Sequence, residues 1–279
     1  MEIDLKKINC SVLILAQNSE AHIQRCLDSL KRFKEVVVID GGSTDKTKEF
    51  CFMYENVKFI ENPWPGFIEQ RNFSISKASF DWCFMIDSDE AATDELVDEI
   101  GLIVTENRDQ FAIYNIMRTE YFLGEKIRGK FGGSEWQLRL FIRNRIKYTG
   151  GVHHEHLIDG EPESKASNKI SSLDSKYRIL HDNLYGLEEW TKKLPRFALL
   201  RAEEKLEKNP KKKVYAFDVF LTFIGTFFKT YSKSMPDKRI GVIIAFKTAI
   251  NRTLAKLIMY EHQNIGFHKS IKNRHRHLG

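Results

Sequence analysis

The sequence predicts an α/β fold in which helices cover both faces of a mostly parallel sheet, followed by a helical C-terminal region. The first hundred residues alternate short apolar runs with segments whose apolar residues recur at helical spacing. Strands that alternate with helices in this way form βαβ units with right-handed crossovers. From Gly186 onward only the helical spacing remains. We therefore expect two regions, residues 1–160 with the sheet and residues 161–279 with helices.

Four buried strands are expected in the first region, as continuous apolar runs at Cys10–Ala16, Val36–Ile39, Val57–Ile60 and Trp82–Ile86. Ser19 and Asp45 stand where the first two helices begin, and short polar side chains at such positions cap free backbone N–H groups. A third helix follows the proline-rich turn at residues 62–66, and a fourth is expected over Thr93–Val104. Strand and helix thus alternate across the whole stretch.

Beyond this alternation the pattern is less regular. Residues 111–158 contain short strand-like runs and glycine-rich turns, and the polar residues 164–175 indicate a connector. No G-x-G-x-x-G follows the first strand, and no G-x-x-x-x-G-K-[ST] occurs anywhere. The motifs of dinucleotide-binding and P-loop proteins are therefore excluded.

The composition is that of a soluble globular protein, with 42% hydrophobic and 29% charged residues. The four cysteines lack the spacing of zinc ligands, and we interpret them as reduced thiols of the core. The start of the chain has no signal-peptide pattern, and no segment reaches the roughly 18 to 20 apolar residues of a membrane span. These features predict a cytoplasmic protein.

Charge is divided unevenly along the chain. Residues 1–160 contain 20 Lys and Arg against 26 Asp and Glu, a net charge of −6, whereas residues 161–279 contain 24 against 12, a net of +12. An acidic first region suits a bound cation. A basic second region favours an anionic partner such as a phosphorylated lipid, a membrane surface or a nucleic acid.

The segment Asp87-Ser88-Asp89 directly follows the fourth apolar run. Ligands of open α/β sheets bind at the carboxyl ends of the strands. Two carboxylates on one side of a strand are able to share a divalent cation, and Mg²⁺ is commonly held by one or two carboxylates together with substrate phosphates. In isolation such a pair also occurs in turns and helix caps.

A second acid stands at the end of the second apolar run. Asp40 precedes Gly41 and Gly42, and paired glycines permit close approach of the backbone to a ligand. We assign Asp45 to a helix cap, whereas Asp40 has no evident structural role and is expected to accept hydrogen bonds from a nucleobase or ribose. Arg71, after the proline-rich turn, is expected to pair with Asp40 or with a phosphate.

Several segments, taken in this order, resemble family 2 glycosyltransferases with the GT-A fold, and more narrowly the lipopolysaccharide-core β-glucosyltransferase group. The matching segments are Ser11–Leu15 with Asn18–Glu20, Val36–Asp45, Met85–Glu90, Tyr121–Gly124, Glu135–Phe141 and, approximately, Val152–Glu155. The resemblance covers residues 8–160 well and the remainder in character only. It implies a Rossmann-like sheet and transfer, with inversion, of a sugar from a nucleotide-diphosphate sugar.

The resemblance also implies the site. The expected nucleotide-sugar contacts are Ala16, Asn18, Glu20, Asp40, Arg71, Asp87, Ser88 and Asp89. The metal is expected to be Mg²⁺ or Mn²⁺, with Asp89 as a direct ligand and Asp87 at the ribose or bound to the metal through water. The acceptor side is expected to be shaped by Trp136, Gln137 and Arg139.

Glu135 is the preferred catalytic base, since a positioned carboxylate contributes about 10²–10⁴-fold. The alternative is a surface acid that pairs with Arg139 four residues on. A histidine cluster at residues 153–156 surrounds Glu155, the competing base, and the resemblance aligns His154 with a residue able to complete the coordination of the metal. Two departures from the family pattern bear on this site. Ala16-Gln17-Asn18 replaces a Pro-Thr-Lys-Asn segment, and glutamate replaces the usual aspartate at 135.

Two apolar helices with flanking cations are expected in the basic region. Their apolar faces contain Val214, Phe217, Leu221, Ile224 and Phe228 in one, and Ile243, Phe246, Ile250, Leu254 and Leu257 in the other. Such faces pack on a protein core or lie in a membrane interface. We favour peripheral contact with the cytoplasmic face of the inner membrane, where an anionic lipid-linked acceptor would be found.

The leading hypothesis is an inverting hexosyltransferase that uses UDP-glucose to extend the inner core of lipopolysaccharide or lipooligosaccharide at a heptose. One alternative is a transferase of the same fold that acts on another lipid- or protein-linked glycan, because a fold does not determine the acceptor. A different class, a nucleic-acid-binding protein using the basic region, lacks a recognisable binding motif, and no nucleic acid is expected.

Overall fold

The computed structural model describes residues 7–129, 134–149, 155–183, 187–209 and 213–265. The strands are β1 (Ile8–Ala16), β2 (Phe33–Asp40), β3 (Val57–Glu61), β4 (Trp82–Met85), β5 (Glu90–Ala92), β6 (Ile113–Phe122), β7 (Glu125–Lys126), β8 (Glu135–Ile142), β9 (Ile146–Thr149), β10 (Glu155–Ile158), β11 (Glu161–Pro162), β12 (Ile170–Ser172) and β13 (Arg178–Asn183). The helices are α1 (Ile23–Asp28), α2 (Thr47–Cys51), α3 (Phe67–Lys77), α4 (Asp94–Thr105), α5 (Leu187–Lys208), α6 (Ala216–Ser234) and α7 (Lys238–Ile265).

The principal sheet is mixed, with its parallel strands at one side. Its strand order is β3-β2-β1-β4-β8-β6-β13-β5, with β12 also paired to β6. β3, β2, β1 and β4 are parallel, whereas β8 is antiparallel to both β4 and β6. A second sheet has the order β11-β10-β9. The expected GT-A fold, with helices on both faces and a helical C-terminal region, is confirmed.

The central strands are buried on both faces, because alternate side chains enter two separate cores. Val12 and Phe84 belong to one core with residues of α1 and α4, whereas Leu13 and Met85 belong to the other with Ile75 of α3. Burial of both faces explains why these strands are continuous apolar runs. The four cysteines are free and buried, as expected for core thiols.

The helix starts agree with the sequence at α4 and differ at α1. Thr93 caps α4, since its side chain accepts a hydrogen bond from Leu96 N. Ser19 was expected to cap the first helix, but α1 begins only at Ile23. The carbonyl of Ser19 instead accepts hydrogen bonds from the N–H groups of His22 and Ile23, which form a turn before the helix.

The chain divides into two compact units, residues 1–121 with 134–182, and residues 122–133 with 183–279. A boundary at residue 160 was therefore too early, and residues 164–175 are more than a connector. β12 pairs in parallel with β6 through Ile170–Ser172, and β13 pairs antiparallel to β5. These strands are short and partly polar, so their sequences lack the apolar run that revealed the others.

The second unit is mainly helical. Ala198 and Ala202 of α5 pack with Ala255 and Met259 of α7, and α6 also contacts α7. The buried carboxylate of Asp237, between α6 and α7, accepts hydrogen bonds from the backbone N–H groups of residues 128 and 129. No helix in the described ranges is both long and apolar enough to cross a membrane.

Candidate active site

Three parallel strands end at one edge of the principal sheet, and predicted donor-binding residues follow them. Ala16 and Asp40 are register partners at the ends of β1 and β2. Asp87 lies just beyond the end of β4. Loops at this edge of an open α/β sheet form ligand sites. The structure therefore brings Ala16, Asp40 and Asp87 to one edge, as the strand pattern predicted.

Asp40 has a structural role that the sequence analysis did not assign. Its Oδ2 accepts hydrogen bonds from the N–H groups of Gly42 at 3.0 Å and Ser43 at 2.8 Å, and Oδ1 accepts one from Ser43 Oγ at 2.5 Å. The side chain is buried. Asp40 therefore holds the loop after β2 in shape, and the expectation that it lacked a structural role was wrong.

Asn18 and Glu20 connect the loops after β1 and β2. Asn18 Oδ1 accepts a hydrogen bond from Thr44 N at 2.8 Å, and Asn18 N donates one to Ser43 Oγ at 2.8 Å. Glu20 Oε2 accepts a bond from Lys46 N at 3.0 Å. Asn18 has a φ of 51°, in the left-handed region that asparagine tolerates. These side chains fix the two loops relative to each other.

Asp45 joins the same arrangement. Its Oδ1 accepts a hydrogen bond from Thr47 N at 3.0 Å, at the first residue of α2, and its Oδ2 accepts one from Glu20 N at 3.0 Å. Asp45 thus binds a backbone N–H at the start of α2, as a capping side chain does, but the N-cap residue is Lys46 and not Asp45 as predicted. Burial alone would raise the pKa of this carboxyl, but the hydrogen bonds outweigh burial and lower it.

Asp87, Ser88 and Asp89 lie in the turn between β4 and β5 rather than within a strand. The expectation that two acids on one strand share a side therefore does not apply. Ser88 Oγ is 2.9 Å from Ser19 Oγ, which ties the turn to the segment before α1. Asp87 and Asp89 instead have different partners, Arg139 and His181.

Asp87 is bound to a buried arginine. Arg139 Nη2 donates to Asp87 Oδ2 at 3.0 Å and to Glu90 Oε1 at 2.8 Å. Glu90 Oε2 in turn accepts a hydrogen bond from Asp87 N at 2.9 Å. Arg139 and Glu90 are both buried, so each charge depends on the other for compensation. Arg139, expected on the acceptor side, thus positions Asp87.

The two carboxyls beside Arg139 titrate in opposite directions. Burial would raise the pKa of Asp87, but the Arg139 guanidinium outweighs burial and holds this pKa well below its usual range. Burial dominates at Glu90, where it raises the pKa to about 7 despite Arg139. Asp87 therefore carries the charge that a cation or a ligand hydroxyl would meet.

Asp89 faces His181 of β13. Asp89 Oδ2 is 3.3 Å from His181 Nε2, and His181 Nδ1 is 2.6 Å from Glu120 Oε2 of β6. Burial would lower the pKa of His181, but hydrogen bonds to Asp89 and Glu120 raise it to about 10. Two carboxylates therefore flank the ring, and a metal cation at Nε2 would take the place of the proton that these carboxylates favour.

Glu135, the predicted base, is held at the start of β8. Arg118 Nη2 donates to Glu135 Oε1 at 2.5 Å, and Gln137 Nε2 donates to the same oxygen at 2.8 Å. The alternative partner considered from the sequence, Arg139, was wrong, since Arg139 binds Asp87 and Glu90. Glu135 and its neighbour Trp136 are exposed, so both are accessible to a ligand.

A cavity of about 430 Å³ adjoins this network. It is lined by Arg71, Asp87, Arg118, Gln137, Leu138, Arg139 and Glu163. The Arg71 guanidinium carbon lies 5.1 Å from the centroid of the Tyr148 ring, so Arg71 faces this cavity and not Asp40. Within the described residues, Nε of Arg71 and Nε of Arg139 are buried without a hydrogen-bond acceptor. Three arginines in one cavity suit an anionic ligand.

The donor set at Asp89 suits a divalent cation. A carboxylate and an imidazole approach each other at Asp89 and His181, and Glu120 orients the ring from its other nitrogen, as outer partners of metal-binding histidines do. Among the described residues, no group of three or more such side chains has metal-binding geometry. Asp89 and His181 would therefore contribute two ligands.

Two predicted residues remain untested. His154 lies outside the described residues, as does His153. Glu155 is the first residue of β10, whose backbone is described, but its side chain is not. The metal-binding role of His154 and the catalytic role of Glu155 therefore stay predictions.

Four members of the network were missed by the sequence analysis: Glu90, Arg118, Glu120 and His181. Arg118 and Glu120 are charged residues two apart in β6, and this spacing indicates one polar side of a strand. His181 follows an apolar pair in β13, but this part of the chain had been expected in the helical region. Its partners lie far away in sequence, 61 residues in the case of Glu120.

Comparisons with known proteins identify the family of this chain. The sequence model of glycosyl transferase family 2 matches residues 11–157, a range that begins within β1 and ends within β10. The lipopolysaccharide core biosynthesis glycosyltransferase LpsC of Rhizobium meliloti is 26% identical over 257 residues, covering 88% of this chain and 92% of that protein. An uncharacterized glycosyltransferase of Rickettsia typhi is 34% identical over 151 residues, 53% of this chain and 51% of its own.

Among solved structures, residues 1–349 of S. aureus TarS in complex with UDP-GlcNAc align with a TM-score of 0.44 and 17% identity, over 94% of this chain and 93% of that one. The family model matches more than half of this chain, and the match includes the edge at which Asp40, Asp87 and Asp89 lie. The chain therefore belongs to glycosyltransferase family 2.

Proposed function

We propose that this glycosyltransferase transfers glucose from UDP-glucose, with inversion and with a divalent cation, to a heptose in the inner core of lipopolysaccharide or lipooligosaccharide. The observation that carries the proposal is the arrangement at the sheet edge. Acids at the ends of β2 and β4 lie there, and the Asp87 side chain also lines a cavity with three arginines. A nucleotide-diphosphate sugar combines the groups that such a site would bind.

The donor would place its negative charge near the arginines. Arg71, Arg118 and Arg139 line the cavity, and guanidinium groups bind phosphates with paired hydrogen bonds. Ala16 and Asp40 would contact the nucleoside at the same edge, and Asp87 would accept a hydrogen bond from the ribose or from water on the cation. Asn18, Glu20 and Ser88 would act by holding these loops in shape.

Mg²⁺ or Mn²⁺ would be held by Asp89 and His181, together with the predicted His154. When bound, it would neutralise negative charge on the departing diphosphate, which is worth several kcal/mol in such reactions. Cation binding requires a neutral imidazole, so the Glu120 carboxylate would keep the Nδ1 proton on His181 while Nε2 faces the cation.

A carboxylate base would take the proton from the acceptor hydroxyl, which then attacks the anomeric carbon opposite the leaving diphosphate. Glu135 is exposed beside the cavity-lining residues Arg118 and Gln137, which bind its carboxylate. Glu155 is the second candidate. Trp136 would provide an exposed aromatic surface for a sugar ring.

The acceptor is proposed from the relatives and from charge. LpsC is named for lipopolysaccharide core biosynthesis, and the similarity covers 92% of its length. The core acceptor is lipid-linked and anionic, so the reaction would occur at the cytoplasmic face of the inner membrane. Transfer to another lipid- or protein-linked glycan, with none to core heptose, would contradict the proposed acceptor. It would leave the proposed donor and cation unaffected.

A thermal-shift panel of nucleotide sugars with and without Mn²⁺ tests the donor and the cation together. A ligand that binds only the folded state raises the free energy of unfolding by about 2.7 kcal/mol at 100 times its Kd. The melting temperature rises accordingly. We expect UDP-glucose with Mn²⁺ to give the largest shift. A larger shift with a non-uridine nucleotide sugar would contradict the proposed donor.

The cation site is tested by Asp89→Ala and His181→Ala. Each should abolish the Mn²⁺-dependent part of the thermal shift and the transfer of sugar. Asp81→Ala is the matched control, because this exposed acid precedes β4 at the opposite end of the strand. Full transfer by Asp89→Ala would remove Asp89 from the cation site.

The identity of the base is tested by Glu135→Gln and Glu155→Gln. The variant that has lost the base should bind UDP-glucose normally but transfer about 10²–10⁴-fold more slowly. Unchanged turnover in Glu135→Gln, with a loss in Glu155→Gln, would assign the base to Glu155.

A further inference from the structure

Helix α6 presents a large apolar surface to solvent. Phe217, Phe220, Leu221, Ile224 and Phe228 are exposed by 67%, 59%, 49%, 37% and 64%, respectively. At about 100° per residue these five positions fall within an arc of about 100°. We refer to them as the aromatic face of α6. Contiguous apolar surface of this kind marks a site of interaction with another surface.

The opposite side of α6 contains small and polar residues. Thr226, Thr230 and Ser234 are buried, and Ser234 meets Gly241 of α7 so closely that a Cβ at Gly241 would lie 2.9 Å from the Ser234 carbonyl carbon. In an ordinary surface helix the apolar stripe packs on the core and the polar side meets water. The arrangement in α6 is the reverse, so burial within this unit does not explain its aromatic face.

The apolar surface continues onto α7. Phe246 is half exposed, and its ring lies edge-on to Phe223 of α6 with centroids 6.0 Å apart. Val242, one turn earlier in α7, is also exposed. The exposed surface therefore spans two packed helices, and its shape is held by their contact.

Cations outnumber acids in the part of the chain that contains this surface. Residues 213–265 contain eight Lys and Arg against three acids, a net charge of +5. One of the acids, Asp237, is buried and bound to backbone N–H groups. Lys238 and Arg239, at the start of α7, are exposed on either side of the direction of Val242, whereas Lys229 and Lys233 are exposed on the far side of α6 from its aromatic face.

We propose that the aromatic face of α6 lies in the interface of an anionic phospholipid bilayer, with the flanking cations at the headgroups. This inference deepens the proposed function, on which it rests only for the idea that the acceptor is lipid-linked. A helix with an apolar side and basic flanks binds the interface through apolar burial and attraction to anionic lipid. Anionic lipid complements the charge of this region, whereas a second copy would bring like charges together.

Vesicle flotation with the full chain tests the surface. The protein should float with vesicles of phosphatidylcholine mixed with phosphatidylglycerol, and much less with phosphatidylcholine alone. The combined replacement Phe217→Ser, Phe220→Ser and Phe228→Ser should lower vesicle affinity by at least about tenfold. Lys238→Glu and Arg239→Glu leave the apolar face intact, and each should lower affinity by about fivefold or more.

Phe52→Ser is the matched control, because Phe52 is 66% exposed but follows α2 in the other unit. It should leave flotation unchanged. Transfer from UDP-glucose to a water-soluble core fragment should stay unchanged in all α6 and α7 variants. This assay tests the proposed chemistry and flotation tests lipid binding, so the two proposals can fail separately. Equal flotation of the triple variant and of the unchanged protein would overturn the proposal. It would also be overturned if the protein did not bind vesicles but self-associated in sedimentation, and if the triple replacement abolished that self-association.

Discussion

Arg139 is the residue on which the ion network of the site depends. Its buried guanidinium is shared between Asp87, at 3.0 Å, and Glu90, at 2.8 Å. A buried charge that loses its partner costs far more than the pair contributes when intact. Arg139 therefore acts as a positioning residue, which fixes the charge and direction of the Asp87 carboxylate.

Replacement of this guanidinium should be costly. We expect Arg139→Met to lower the free energy of unfolding by about 3–5 kcal/mol, because buried Glu90 would keep only the longer contact with Arg118, at 3.4 Å, and Asp87 would lose its cation. Arg139→Lys should lower the free energy of unfolding by a smaller amount, since lysine keeps the charge but not the planar guanidinium. Urea denaturation measures both. Lys48→Met, which breaks the exposed Lys48–Glu61 pair, is the control, and an equal loss in that variant would contradict this role.

Glu35 is a second acid with an unusual environment, away from the active site. Its carboxylate accepts hydrogen bonds from Ser79 N at 2.9 Å, from Ser79 Oγ at 2.6 Å and from Ser11 Oγ. Burial would raise the pKa of Glu35, but the bonds from Ser11 and Ser79 outweigh burial and lower it. The ionised form is therefore favoured by folding.

This lowered pKa predicts a pH dependence of stability. The unfolded state binds the proton more tightly, so the contribution of Glu35 is complete above the ordinary pKa of 4.5 and is lost as the pH falls. Glu35→Gln should cost about 1–3 kcal/mol at pH 7 and progressively less at acidic pH. Denaturation curves between neutral and acidic pH measure this difference, with the exposed Glu55→Gln as control. A difference that does not change with pH would contradict it.

At the scale of elements, the contact between α6 and α7 depends on small residues. Gly241 lies against Ser234 without space for a side chain, whereas Gly225, within α6, has no neighbouring atom within 4 Å of the position of a Cβ. The two glycines therefore differ in what they do. Gly241 permits the close approach of the helices, and Gly225 only weakens its own helix.

Opposite effects are expected from the same substitution at these two positions. Gly241→Ala should destabilise the protein by about 1–3 kcal/mol, because the methyl group would overlap backbone atoms. Gly225→Ala should stabilise it by up to about 1 kcal/mol through helix propensity. Thermal denaturation measures both. A stabilising Gly241→Ala would show that the helices are not in close contact.

At the scale of the whole molecule, charge is separated between the two units. The unit with the sheet contains 21 Lys and Arg against 29 Asp and Glu, and the helical unit contains 23 against 9. An acidic unit would repel the diphosphate of the proposed donor, and the arginines of the cavity together with a cation would offset this repulsion. The basic unit contains the aromatic face of α6.

Hydrogen exchange should distinguish nucleotide binding from vesicle binding in the intact chain. UDP with Mn²⁺ should slow exchange in the loops at residues 16–20, 40–45 and 87–92, because binding restrains local opening. Anionic vesicles should slow exchange in α6 and leave those loops unchanged. Mass spectrometry after digestion locates the protection. Asp89→Ala should lose only the protection by UDP and Mn²⁺, and protection of α6 alone by this ligand would contradict the assignment of the site.

Local pattern was sufficient to predict much of the fold and part of the site. β1 to β4 and α4 were found from apolar runs and capping residues, and Asp40 and Asp87 were found because acids directly follow such runs. These signals lie within a few residues of one another. Short strands such as β12, whose apolar content is low, provided no such signal.

The remaining partners depend on contacts between distant parts of the chain. His181 reaches Asp89 because β13 pairs with β5, and Arg139 reaches Asp87 because β8 pairs with β4. The sequence showed that α6 is amphipathic, but it did not show whether the apolar face points toward the protein or toward solvent. Whether an apolar face packs inward depends on the neighbouring helix, and the small residues of α6 and α7 leave the aromatic face in solvent because they allow closer packing on the other side.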